Sequence, residues 1–105
     1  MTAVKVTPGC CGLDTTVQAR SDDMQFARVE IKSACPHIMA MAHEIELIDS
    51  FIECFVKIGE GQVYRAARRY GIHPMCPVPC AVLKCVEAEC RLAVPRDVEI
   101  RFIPE

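Results

Sequence analysis

The spacing of apolar residues changes along this chain, and that change constrains the fold more than any other feature. Over the first 33 residues, apolar side chains alternate with polar ones, as in β-strands that bury one face. The alternating positions are Val4 and Val6, then Leu13, Thr15, Val17 and Ala19, then Ala27, Val29, Ile31 and Ser33. Turn-forming residues separate the runs, at Pro8–Gly12 and at Ser21-Asp22-Asp23. The pattern predicts a three-stranded antiparallel meander.

After Cys35-Pro36 the apolar residues recur at steps of three and four, which is the period of an amphipathic helix. The residues that set this period are Ile38, Met41, Ala42, Ile45 and Ile48. A break near Asp49-Ser50 precedes a second short helix. Its apolar residues are Phe51, Ile52, Phe55, Val56 and Ile58.

Two further helices are predicted after the Gly59-Glu60-Gly61 interruption. The third runs from about Gln62 to Tyr70 and is closed by Gly71, which suits the left-handed position after a helix end. The fourth opens at Pro79 and ends at Pro95. It carries Val82, Leu83, Val86 and Leu92.

The last segment alternates again, with Val98, Ile100 and Phe102 on one face, and predicts a C-terminal strand. We expect it to lie beside the sheet, parallel to the third strand. No repeat or long linker divides the chain, so residues 1–105 form one α+β domain in the order βββααααβ.

Charge and composition exclude several classes of function. The chain has 12 Lys and Arg against 14 Asp and Glu, no Trp and six Phe and Tyr, so nucleic-acid binding is not indicated. No segment approaches the roughly 18 apolar residues of a membrane span, and the N-terminus lacks a signal-peptide pattern. We therefore expect a cytoplasmic protein with no membrane partner. In a reducing compartment its eight cysteines are better explained as ligands, reactive thiols or buried filler than as disulfides.

Five of the cysteines occur at three junctions beside proline or glycine, namely Cys10 and Cys11, Cys35, and Cys76 with Cys80. Such junctions are element boundaries, where side chains are accessible. In a meander the first loop and the end of the third strand lie at the same sheet edge. If the fourth helix also starts there and runs back, Cys76 and Cys80 join the other three. The sequence thus predicts a thiol-rich site at one end of the sheet.

The local sequence favours anionic sulfur at two of these junctions. Cys35 precedes a helix-opening proline, and Cys80 follows Pro79, so both lie near helix N-termini, where the dipole stabilises a thiolate. His37 and Asp14 are candidate additional ligands, and His73 could also complete a mixed sulfur and nitrogen site. By contrast, Cys54, Cys85 and Cys90 lie inside predicted helices, where free cysteine usually serves as a small hydrophobe. There is no C-x-x-C pair, catalytic Ser-His-Asp signature or phosphate-binding glycine loop.

The order of these cysteines resembles the iron-sulfur scaffold family represented by IscU and the NifU N-terminal domain. In that family, cysteines lie between the first two strands, at the helix start after the third strand, and before the last long helix. Cys11, Cys35 and either Cys76 or Cys80 match that order and approximate spacing. The resemblance implies an IscU-like fold and a cluster held by these residues.

The chain also resembles a small uncharacterised prokaryotic family with G-x-C-G, C-P-H-I and H-P-x-C-P-V-P elements. These correspond to residues 9–12, 35–38 and 73–79. That resemblance implies no function.

The leading hypothesis from the sequence is a small protein that binds or transfers an iron-sulfur cluster or zinc and does not catalyse turnover. Its primary ligands are Cys11, Cys35 and Cys76, with a fourth among His37, Cys80 and Asp14, while Cys10 adjoins the first. The hypothesis includes a protein partner in sulfur or cluster transfer. The alternatives are a thiol protein that accepts persulfide sulfur or senses oxidants, and an interaction domain that keeps the scaffold fold without metal.

Overall fold

The computed structural model describes all 105 residues and contains four strands and four helices. The elements are β1 (Thr2–Val6), β2 (Thr15–Arg20), β3 (Phe26–Ser33), α1 (Pro36–Ala42), β4 (Leu47–Asp49), α2 (Ser50–Glu53), α3 (Gln62–Arg69) and α4 (Val78–Glu89). The α+β class is confirmed, but the observed order is βββαβααα. None of the helices has the length and apolar character needed to cross a membrane.

The four strands form one antiparallel sheet in the order β1-β2-β3-β4. Val17 of β2 lies opposite both Val4 of β1 and Ile31 of β3, so the alternating apolar residues share one face. At one end of the sheet Thr15 pairs with Val6 and with Ser33. The predicted three-stranded meander is confirmed, and its apolar face is the sheet side of the core.

All the helices that contribute to the core pack on that face. α4 crosses β1 and β2, α1 packs on β3, and α3 packs against α4 and α1. The fully buried side chains that they supply include Ile38, Met41, Val63, Val82 and Val86. The opposite face of the sheet carries exposed polar side chains, so the domain has two layers.

The predicted C-terminal strand over Val98–Phe102 is wrong, because no residue after Cys90 belongs to a helix or strand. The apolar pattern is suitable for a strand, but no backbone hydrogen bond joins this segment to the sheet. The position next to β3 is occupied instead by β4, which pairs with it antiparallel from Arg28↔Leu47 to Phe26↔Asp49.

β4 also corrects the predicted first helix, which ends at Ala42 and does not continue to Ile48. Ile45 and Ile48 are fully buried, yet they reach the core from a turn and a strand. A spacing of three residues suits a helix, but it does not require one when an intervening turn also brings both side chains to the core.

The second and fourth helices are shorter than predicted. α2 covers only Ser50–Glu53, and α4 ends at Glu89, well before Pro95. Arg91 has a positive φ of 60°, which turns the chain away from the axis of α4. α3 agrees with the prediction, and Gly71, at a φ of 68°, follows its C-terminus.

α4 is anchored through its last residue. The Glu89 carboxylate accepts hydrogen bonds from the Thr2 hydroxyl (2.8 Å) and from the Ser21 backbone N–H (3.0 Å), and it lies 3.5 Å from the Met1 amino group. These residues belong to the sheet end where β1 begins and β2 finishes. α4 therefore starts at the opposite end, near the β1–β2 loop and the end of β3, as the sequence analysis anticipated.

A buried carboxylate holds the start of α3. Glu53 is 7% exposed, and its two carboxylate oxygens accept the N–H groups of Gln62 (2.6 Å) and Val63 (2.8 Å). These are N–H groups that a helix start cannot satisfy internally, and a negative charge there also interacts favourably with the positive end of the helix dipole. Gly61 makes room for this contact, since a Cβ on it would lie 2.5 Å from a Glu53 carboxylate oxygen.

We predict that Gly61→Ala lowers the free energy of unfolding by about 1 to 3 kcal/mol, because the new methyl group displaces the carboxylate and leaves buried N–H groups unpaired. Glu53→Ala should cost a similar amount, with urea denaturation as the measurement. Glu60→Ala, an exposed change in the same turn, is the control and should stay within about 0.5 kcal/mol of wild type. Equal stability of Gly61→Ala and Glu60→Ala would contradict this account.

Glu89 should make stability depend on pH. Burial alone raises its pKa, but the hydrogen bonds from Thr2 and Ser21 and the charge of the Met1 amino group outweigh burial and lower it below 4.5. A lowered folded-state pKa contributes stability above pH 4.5, and that contribution is lost as the pH falls through the folded-state value.

We therefore predict that Glu89→Gln is less stable than wild type at pH 7, by about 1 to 3 kcal/mol, and that the gap narrows as the pH falls below about 4.5. Urea denaturation across pH measures both effects. Glu87→Gln, which removes only a partly exposed pairing with Lys84, is the control on the same helix and should change stability little. A difference in the free energy of unfolding between Glu89→Gln and wild type that stays constant with pH would refute this dependence on the ionisation of Glu89.

Candidate thiol site

The β1–β2 loop presents two adjacent cysteines to solvent. The Gly12 N–H donates to the Gly9 carbonyl (2.9 Å), and both glycines have positive φ values of 88° and 68° for Gly9 and Gly12. This backbone conformation disfavours other residues, so the glycines shape the turn that carries Cys10 and Cys11. Both cysteines are exposed.

Cys35 lies where β3 ends and α1 begins. Its N–H donates to the Ser33 hydroxyl (3.0 Å), and that hydroxyl is hydrogen-bonded to the Thr15 hydroxyl (2.7 Å) on β2. Its carbonyl accepts the Met39 N–H (3.1 Å), which begins the hydrogen bonding of the helix. The thiol does not cap α1, and the half-buried side chain packs against the core.

Cys76 and Cys80 flank the start of α4. Cys76 is half-buried in the preceding turn, where its N–H donates to the His73 carbonyl (2.9 Å), while Cys80 is exposed in the first turn of the helix. Both cysteines affect the pKa of Tyr64, a residue of α3. Burial is the largest cause of the raised pKa of Tyr64, and negative charge on Cys80 and Cys76 raises it further. Tyr64 belongs to the helix that packs against α4, and the two cysteines flank the start of α4.

Tyr64 did not emerge from the sequence as a site residue. It lies three positions before buried Ala67, so the pattern of α3 places it at the margin of the apolar face. The effect of the two cysteines on its pKa depends on the packing of α3 against α4, and no residue spacing encodes that packing.

The predicted site residues belong to the same end of the sheet but do not form a preassembled chelate. The loop after β1, the end of β3 and the start of α4 meet at this end. However, no three or more His, Cys, Asp or Glu side chains are grouped closely enough to hold a metal ion. His37 and Asp14 are exposed, and the contact made by Asp14 across the edge is through its carbonyl, which accepts the Ala34 N–H (3.2 Å).

The remaining cysteines lie elsewhere. Cys85 and Cys90 are buried in the core, as predicted for filler residues, and the Cys85 thiol points at the carbonyls of Thr2 (3.3 Å) and Val17 (3.7 Å). Burial raises the pKa of Cys85 to about 11. Cys54 is half-buried at the end of α2, and burial raises its pKa to about 11 as well, with an added contribution from the negative charges nearby, chiefly Glu87.

A group of large apolar side chains is exposed around α2. They are Phe51, Ile52, Phe55, Val56 and Ile58. Their spacing predicts the apolar face of a helix, but the buried residues of α2 are Ser50 and Glu53.

The eight thiols should separate by alkylation rate in the folded protein. We predict that iodoacetamide at pH 8 modifies the exposed Cys10, Cys11 and Cys80 first. Cys54 and Cys85 should react slowest, since at a pKa of about 11 only about one thiol in a thousand is ionised at this pH. Timed quenching and peptide mass spectrometry give the order, and a denatured sample is the control. Modification of Cys85 as fast as Cys11 in the native protein would contradict this assignment.

Comparison with known proteins gives a family but no described activity. No curated protein and no solved structure matches the chain. Residues 2–102 match the profile described as "Family of unknown function (DUF6951)". The match covers nearly the whole sequence, from the start of β1 through the C-terminal segment, and the chain therefore belongs to the DUF6951 family.

Proposed function

We propose that this protein binds a soft metal ion or an iron-sulfur cluster at its thiol end, defined as Cys10, Cys11, Cys35, Cys76 and Cys80, and holds or passes on that cargo. The observation that carries the proposal is the direction of α4. Because Glu89 ties the C-terminus of α4 to the far end of the sheet, the helix begins at the end that carries the other three cysteines.

The chemistry of the donors supports soft cargo. Thiolates favour zinc, copper(I) and iron-sulfur clusters over hard ions such as Mg²⁺. None of the five thiols forms a disulfide. Three are exposed, and two are half-buried at the edge of the core. Two of the five, Cys76 and Cys80, flank the start of α4.

Binding would complete the site by drawing the separate cysteines together. In the proposed complex Cys11 contributes from the Gly9–Gly12 turn, and Cys35 contributes from the end of β3. His37, Asp14 and Cys10 are the remaining donors within these segments. Metal binding also requires the thiols to lose their protons, so affinity should rise with pH.

The accompanying role is storage or delivery, with a protein partner that supplies sulfur or receives the cluster. An IscU-like origin of the fold remains part of this proposal. The cysteine order supports it, whereas the short β4, which adds a fourth strand to the sheet, differs from the three-stranded meander followed by helices that the resemblance implies.

We predict that protein purified without oxygen contains iron with acid-labile sulfide, or zinc, in near-stoichiometric amount, or takes up one of them from solution. Elemental analysis and ultraviolet-visible spectra measure this. The triple variant Cys11→Ser, Cys35→Ser, Cys76→Ser should lose at least nine-tenths of the bound metal, an order-of-magnitude loss of the kind expected when thiolate ligands are removed. Cys54→Ser is the matched control and should retain it.

Failure of the wild-type protein to bind either metal would refute the proposal. Equal metal content in the triple variant and the Cys54→Ser control would refute the location. Circular dichroism of both variants keeps loss of binding distinct from loss of fold.

A second candidate is sulfur exchange at the same thiols, in which the protein accepts persulfide sulfur or responds to oxidants. It is favoured by the two adjacent exposed cysteines of the β1–β2 loop, since exchange requires an accessible thiolate. A persulfide donor would transfer sulfur to wild type and to Cys54→Ser alike, and the product would be recognised by an added mass of one sulfur. Absence of that product would leave metal binding as the function of this end.

A further inference from the structure

The C-terminal segment has the sequence of a strand but no partner in the chain. Val98, Ile100 and Phe102 alternate with Glu99 and Arg101, and the three apolar side chains are 60%, 88% and 97% exposed. No backbone hydrogen bond joins residues 97–105 to the rest of the chain. Three large apolar side chains that lie at alternate positions and are all exposed to water are an unfavourable arrangement for an isolated molecule.

The sheet has an open edge of matching length. β1 pairs only with β2, so one side of its backbone is unpaired over the five residues Thr2–Val6. β4 borders the other edge but has only three residues. Thr2, Val4 and Val6 of β1 face the helix layer, while Ala3 and Lys5 face solvent. An open edge of this kind is a template for strand addition.

We propose that two copies of this chain form a dimer in which residues 98–102 of each copy add, antiparallel, to β1 of the other. The exchange is reciprocal and closes with two-fold symmetry, so it does not propagate into a fibre. Each sheet gains a fifth strand next to β1. This inference concerns assembly and does not depend on the proposed function.

The antiparallel register matches both faces of the sheet. With Val98 opposite Val6, Ile100 lies opposite Val4 and Phe102 opposite Thr2, all on the side covered by α4. On the solvent side Glu99 then lies opposite Lys5 and Arg101 opposite Ala3. An opposite-charge pair directly across two strands is favourable, and the apolar residues leave water beside α4.

Pairing with β1 of the same copy fits less well. α4 ends at the sheet end where β1 begins, so a segment that rose directly from there would run parallel to β1. A full-length parallel register places Arg101 opposite Lys5, which is a like-charge pair. Hydrogen bonds from Leu92 to Glu87 (2.8 Å) and from Arg96 to Val94 (2.9 Å) also fold the connecting residues into turns. The connecting residues are therefore not extended along the sheet, as they would have to be for residues 98–102 to come back antiparallel to β1 of the same copy.

The family match includes this segment. It runs through residue 102 and so includes all five residues of the proposed strand. A segment that belongs to the family domain, yet lies unpaired outside the core, is suited to contact between copies.

Multi-angle light scattering and analytical ultracentrifugation test the proposal. The full chain should be a dimer at micromolar concentration, and removal of residues 98–105 should give a monomer with unchanged circular dichroism. Lys5→Glu and Glu99→Lys should each raise the dimer dissociation constant by roughly tenfold, because each dimer contains two such pairs. The double variant should recover near wild-type affinity, and Lys32→Glu, on the solvent face of β3, is the matched control.

Hydrogen exchange adds an independent measurement, since amides in residues 98–102 should be protected only in the dimer. A monomeric full chain with fast exchange there would overturn the proposal. A monomer with protected amides would also overturn it, in favour of pairing within one copy. A dimer that survives truncation, or that loses affinity in the single charge variants without recovery in the double variant, would rule out this edge and register.

Discussion

The packing of α4 across β1 and β2 is the interaction on which the rest of this structure depends. Val82 and Val86 are fully buried against the apolar face of the meander, and Glu89 links the end of the helix to Thr2 and to the Ser21 amide. One helix thus covers β1 and β2, and the contacts of Glu89 fix the direction in which that helix runs. Because it begins at the end of the sheet that carries the β1–β2 loop and the end of β3, the same contact that forms the core also brings the start of α4 to that end.

Polar burial accounts for the part of the chain that departs most from an amphipathic pattern. Glu53 turns inward to bind the start of α3, and Ser50, the first residue of the same helix, is buried with it. In a helix of four residues these two positions occupy the inner face, so Phe51 and Ile52 face outward. The exposed apolar residues around α2 therefore follow from the carboxylate that α3 needs.

The sequence predicted the meander well, because alternation over three successive runs leaves few other arrangements for strands with one buried face. It failed at β4. Ile45 and Ile48 are three residues apart, which suits one helical face, but the turn after α1 delivers both to the core without a helix. A strand of only three residues has too little pattern to be recognised by itself. Gly71, by contrast, marked the end of α3 through a local backbone requirement.

The sequence by itself determined the local features of the candidate site, namely the cysteines at three junctions and the glycines that shape the first turn, and it also indicated that Cys85 and Cys90 are buried. Only the tertiary structure decided that the start of α4 lies at the same end of the sheet as the β1–β2 loop, that the candidate thiols there form no preformed chelate, and that Val98–Phe102 has no partner within its own chain. The physical reason is that periodicity reports which face of an element is apolar. Which surface covers that face depends on contacts between residues far apart in the chain.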